Sequence, residues 1–149
     1  MIITSPSFEN GAFIPKKFSG EGGDINPELQ IQNVPAGTNS LALIMHDPDA
    51  PLPGGFTHWV VWNIDPAIPA IKEESIPPGS VEGFNGMKKP GYMGPMPPPG
   101  HGVHHYHFQL YALDEPLELP EETDKAGLEK ALSDHIIETA ELVGLYKRE

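Results

Sequence analysis

Proline and glycine interrupt this sequence almost everywhere. The 18 Pro and 16 Gly among 149 residues are not gathered into one low-complexity block but recur between short apolar runs. Proline fixes φ and lacks an N–H, so a chain broken up this way cannot build long helices. Short apolar runs bounded by turn residues read instead as strands. The fold expected is mainly β: an antiparallel β-sandwich of two sheets with a short helix near the C-terminus, in a single domain over residues 1–149.

Taken in order, residues 1–4 read as a first strand. Ser5-Pro6 and Asn10-Gly11 signal turns, and Phe13 and Ile14 begin a short strand that Pro15 ends. Leu29, Ile31 and, after a turn, Val34 alternate as in a strand. The run from Leu41 to Met45 is apolar on both faces. So is the run from His58 to Ile64, with His58, Val60, Trp62 and Ile64 on one side and Trp59, Val61 and Asn63 on the other. Strands of this kind lie centrally, covered on each face. Residues 64–78 read as an irregular connection, and residues 81–84 as a short strand turning at Asn85-Gly86. Thr123 or Asp124 caps a helix in which Leu128, Ala131, Leu132, His135 and Ile136 keep helical spacing. Leu142, Val143, Leu145 and Tyr146 form a last short strand, for about eight in all.

The stretch from Gly94 to Leu113 joins a stiff Pro/Gly loop to a strand with a clean two-residue period. His104, Tyr106, Phe108, Leu110 and Ala112 share the core face; His105, His107, Gln109 and Tyr111 share the other. A core face that ends in His and Tyr beneath a rigid loop is either a pocket wall or an ordinary satisfied core. A second stiff loop, residues 46–56, holds Asp47 and Asp49 between the two buried runs, with Pro48, Pro51 and Pro53 limiting its freedom. A sandwich can bring both strand ends to one edge. Carboxylates, two imidazoles and a phenol would then surround a proline-rimmed opening suited to phosphate or carboxylate.

Charge and composition narrow the partners. Nine Lys and Arg against 21 Asp and Glu give a net charge of −12, which argues against nucleic acid and anionic membranes as general surface partners. There is no Cys, hence no disulfide, thiol nucleophile or thiolate metal site. Neither a secretory leader nor an integral membrane segment is expected, and the expected location is cytoplasmic. Same-face His105 and His107 have metal-ligand spacing, but no carboxylate lies close in sequence and no metal or other cofactor is expected. No Gly-x-Ser-x-Gly elbow or phosphate-binding Gly-rich loop is present. An Asp–His pair acting as general acid and base remains the one enzymatic reading.

The residues that carry these readings also form a pattern. Asp47-Pro48-Asp49-Ala50-Pro51, His58 opening a buried strand, and Gly94-Pro95 through Gly100-His101-Gly102 into His104-His105-Tyr106 together resemble the phosphatidylethanolamine-binding protein family. The likeness is strongest to its bacterial and archaeal, Raf kinase inhibitor-like branch, and Gly22-Gly23-Asp24, Asn26-Pro27 and the turn at residues 34–38 extend it over nearly the whole chain. It implies a two-sheet sandwich with a small anion pocket for phosphate, acetate or phosphoryl head groups. By motif position the ligand-binding residues are Asp47, His58, His104 and Tyr106. The rim is Asp49, Pro51, Phe56, Gly94 and Pro95, with the segment to Pro99, and a cis bond is implied before Pro51. Family members also inhibit serine proteases or kinases, and plant relatives regulate flowering, so a protein partner or a homodimer is a further expectation. Three positions depart from the pattern: His105 stands where Arg is common, and Phe56 and Ile31 stand where Trp is frequent.

Overall fold

The computed structural model describes residues 1–149. It contains eight strands, β1 (Ile2–Thr4), β2 (Leu29–Gln32), β3 (Ser40–Asp47), β4 (Phe56–Ile64), β5 (Ala70–Ile71), β6 (Val81–Glu82), β7 (His104–Leu113) and β8 (Ile136–Tyr146), and one α-helix, α1 (Lys125–Leu132). The strands form two antiparallel sheets, β1-β2-β5 and β6-β4-β3-β7-β8. This is the mainly-β, two-sheet architecture expected, with its short helix near the C-terminus.

The doubly apolar runs explain the layering. On one face of the larger sheet, Leu41, Leu43, Met45, Trp59, Val61, Phe108 and Leu110 pack against Ile3, Leu29, Ile31 and Ile71 of the smaller sheet. On the other face Ala42, Ile44, Val60, Trp62 and Leu113 pack under Leu128 and Leu132 of α1. Asp124 is the cap that starts the helix: its Oδ1 accepts the Gly127 N–H at 3.0 Å.

Three local expectations are corrected. The helix ends at Leu132, and Ile136 already belongs to β8, which runs 11 residues rather than a few because it zips along the whole of β7. Phe13 makes only one parallel bridge, to Leu145, and the supposedly irregular 64–78 connection contributes β5, which pairs with β2. The third concerns β4. Met45 pairs with Trp59 but His46 pairs with Thr57, so one residue is inserted at His58; a second shift lies between Leu41/Ile64 and Leu43/Val61, where Asn63 has a φ of 56°. These bulges break the two-residue period. Ile64 turns to the inter-sheet core, and His58, whose ring packs on Tyr106, joins the face of Trp59, not that of Val60 and Trp62.

Candidate functional site

In an antiparallel sheet ordered β4-β3-β7, the C-terminal end of β3 lies between the N-terminal ends of β4 and β7. Asp47 ends β3 and His104 begins β7, and both are buried. Asp47 Oδ2 accepts from His104 Nδ1 at 2.7 Å, and its Oδ1 accepts the Asp49 N–H at 2.8 Å. The other nitrogen of His104, Nε2, lies 2.5 Å from His101 Nδ1.

The bulge in β4 carries His58 to the same place. Its Nδ1 donates to the Met93 carbonyl at 2.8 Å, and its ring packs edge-on against Tyr106 and Phe56, with centroids 5.1 and 5.0 Å away. A carbonyl only accepts, so the proton sits on Nδ1 and Nε2 is left without a protein partner. Tyr106 is fully buried, and its hydroxyl, the one buried side-chain polar atom with no partner in hydrogen-bond geometry, lies near the Asp47 carboxylate.

These four side chains line a cavity of about 310 Å3. Pro51, Phe56 and Gly94 also line it, as does part of the Pro95–Pro99 segment, through Met96, Pro97 and Pro98. Gly94 has no room for a side chain: a Cβ there would stand 2.3 Å from the Phe18 carbonyl oxygen. Its N–H donates to Asp24 Oδ1 at 2.6 Å, which gives the Gly22-Gly23-Asp24 motif a role in fixing the loop beyond Met93.

Two expected rim residues lie outside the lining. Asp49 turns away because its Oδ2 accepts both the backbone N–H and the Nδ1–H of His105 at 2.8 Å, which ties the loop to β7. Pro95 is buried, and its carbonyl accepts the Gly20 N–H at 2.9 Å. The cis bond before Pro51 is not found either. All peptide bonds are trans, and the chain reverses at Pro51 by a three-residue turn, with the Leu52 N–H on the Ala50 carbonyl at 2.7 Å.

His105 and His107 do not converge as metal ligands. His105 pairs with Asp49, and His107 Nδ1 lies 3.3 Å from Glu141 Oε2. The one place where His and carboxylate ligand atoms gather is Asp114, Glu115 and His135, outside the cavity. A larger cleft of about 490 Å3 beside α1 contains none of the four side chains described above.

Sequence reasoning did not single out the Met93 carbonyl that orients His58, the cap of His101 on His104, or Leu52 and Met96. Those last two are exposed at 55% and 46% and give the cavity an apolar mouth. His101 was visible as part of a histidine cluster, three residues before His104. The others depend on loop conformation, which leaves no periodic signal.

Burial lowers the pKa of His58 below its ordinary 6.5, against the opposing pull of the Met93 carbonyl and the Asp47 charge. Below about pH 6.5 the unfolded chain therefore binds a proton at this position that the folded chain resists, so stability present at neutral pH is lost on acidification. His46, whose pKa burial also lowers, contributes with the same sign. A His58→Gln variant is expected to show a smaller fall in Tm than the parent between about pH 7 and pH 5. Parallel curves would assign the acid lability elsewhere.

The comparisons with known proteins agree with one another. The profile described as phosphatidylethanolamine-binding protein matches residues 4–147. A UPF0098 protein of Pyrococcus abyssi is 47% identical over 154 residues, covering 99% of this chain and 86% of that protein. A crystal structure of a phosphatidylethanolamine-binding protein homologue from Chlamydia trachomatis superposes with a TM-score of 0.93 at 39% identity, covering 99% of this chain and 97% of that one. The structure of YbcL from E. coli, described as a member of the mammalian family, gives a TM-score of 0.93 at 31% identity and covers 99% and 98%. A carboxypeptidase Y inhibitor, solved with its cognate proteinase, shares the fold at a TM-score of 0.60 and 20% identity.

Proposed function

Because this chain belongs to the phosphatidylethanolamine-binding protein family, we propose that it is a binding protein, not an enzyme, and that its cavity holds a small oxyanion: phosphate, a phosphoryl head group or a carboxylate. The observation that carries this reading is the Tyr106 hydroxyl, buried at the cavity and unpaired. An unsatisfied buried donor costs about 1–3 kcal/mol, which a ligand oxygen accepting from it would recover. His58 Nε2 adds a second unpartnered atom, a nitrogen that becomes a cationic donor when His58 is protonated.

Catalysis is disfavoured by the same residues. The lining has no Ser, Thr, Cys or Lys. Burial, and then the Asp47 charge, push the Tyr106 phenol far above its ordinary 10, so it stays a hydrogen-bond donor and not a phenolate nucleophile. The −12 net charge repels anionic bilayers, and no helix is long and apolar enough to cross a membrane. We therefore take the ligand to be a free anion or head group, not a lipid within a bilayer. A second reading, regulation of a protein partner such as a protease or kinase, is favoured by Leu52 and Met96, exposed apolar side chains at the mouth.

Calorimetric titration with inorganic phosphate and phosphoethanolamine near pH 6.5 tests the anion reading. The Tyr106→Phe variant is expected to bind about tenfold more weakly, while the ligand-free variant is as stable as the parent or about 1 kcal/mol more so, because the unpaired hydroxyl is gone. Failure of both anions to bind the parent protein at millimolar concentration would end the proposal.

A further inference from the structure

We infer that His101 is a gate on this cavity: it occupies the second ring nitrogen of His104, and an oxyanion can engage His104 only when His101 is displaced. The inference rests on the anion-binding reading above and adds the control of that site.

His104 lines the cavity, yet neither of its nitrogens is free. Nδ1 faces Asp47 Oδ2 at 2.7 Å and Nε2 faces His101 Nδ1 at 2.5 Å. The carboxylate accepts, so Nδ1 carries a proton. With both rings neutral, Nε2 accepts from His101 Nδ1–H. One added proton goes to His101 Nε2 and leaves that hydrogen bond intact. A second sets N–H against N–H, and the pair must part.

Burial decides which ring leaves. His104 is 1% exposed and held by a buried carboxylate, whereas His101 is exposed. His101 sits between Gly100 and Gly102, with φ of 71° and 94°, and nothing lies within 4 Å of where their side chains would be. The backbone around it is anchored. The Gly100 N–H donates to the Arg148 carbonyl at 3.0 Å, and Arg148 Nε donates to the Pro97 carbonyl at 2.8 Å. Opening therefore needs a rotation of the His101 side chain and leaves the loop in place.

The ionisable groups around the pair are Asp47 on β3, Asp49 on the rim loop, His58 on β4, Tyr106 on β7, Tyr146 opposite His104 on β8, and Arg148 beyond it. The Tyr146 hydroxyl donates to Glu21. Anion binding then takes up one proton at His104 and another at the released His101. Affinity should therefore climb on acidification more steeply in the parent than in a protein lacking His101.

The test is phosphate titration of the parent and His101→Ala between about pH 5.5 and 8, with ligand-free nitrogen NMR of the imidazoles. Phosphate's own titration is common to both proteins and cancels in the comparison. At the alkaline end His101→Ala is expected to bind phosphate about tenfold tighter, having no His101–His104 hydrogen bond to break, with a shallower pH profile that meets the parent's at the acid end. Without ligand, a nitrogen–nitrogen scalar coupling should connect His101 Nδ1 and His104 Nε2 across their hydrogen bond. Equal or weaker phosphate binding by His101→Ala throughout would overturn the gate and make His101 either idle or a ligand itself. If phosphate binds neither protein, the anion reading fails, and the NMR decides the cap alone: absence of a coupling between the two facing nitrogens would sink it.

Discussion

Asp47→Ala is expected to destabilise the protein by about 3–5 kcal/mol, because it removes two hydrogen bonds to a buried carboxylate, each worth about 1.5–3 kcal/mol. Both oxygens are in use: one accepts from His104 Nδ1 and the other from the Asp49 N–H. Alanine leaves the imidazole at the head of β7 without its acceptor and frees the turn that sets the direction of the 47–55 loop. Asp47→Asn keeps an acceptor for one of these donors and should lose less. Urea denaturation reads the difference as a lower midpoint at unchanged slope. A loss below about 1 kcal/mol for the alanine variant would mean that His104 finds another acceptor and that Asp47 is peripheral to the fold.

The second large effect is on binding. A protein carrying both His58→Ala and His104→Ala should bind phosphate roughly a thousandfold more weakly, below detection, since each charged hydrogen bond lost is worth about 1.5–3 kcal/mol. The two rings come from strands on opposite sides of β3, so neither can substitute for the other. Circular dichroism and the thermal midpoint would confirm that the variant still folds. An affinity equal to the parent's would place the anion somewhere other than this cavity.

Strands whose residues are apolar on both faces announced the central layer, and β3 and β4 lie where that pattern puts them. The alternation of β7 was equally legible: His104, Tyr106, Phe108, Leu110 and Ala112 are all buried on one face. Strand lengths were less legible. Ile136 and Ile137 satisfy helical and extended spacing alike, and only pairing with β7 decides between them. The candidate site was legible as residue types at strand ends, and the four principal side chains do meet. Its fine structure was not. Asp49 and Pro95 stand in the right segments but spend their polar groups on His105 and Gly20, contacts that no spacing rule encodes. His58 is the instructive case, because simple alternation assigns it to the helix side of the sheet.

One inserted residue is what reverses that assignment. The meeting of His58 with Asp47 and Tyr106 thus depends on a count as much as on chemistry: β4 has one residue more than β3 between two matched rungs. Deleting Thr57 would keep all four cavity side chains in the sequence, pair His58 with His46, and still send the imidazole through the sheet to the helix side. Among relatives of this chain, the spacing between the Asp-Pro-Asp loop and the first tryptophan of β4 should therefore tolerate less change than the residues that fill it. A gap of one position in that interval would be a more telling sign of a lost cavity than the replacement of a rim side chain.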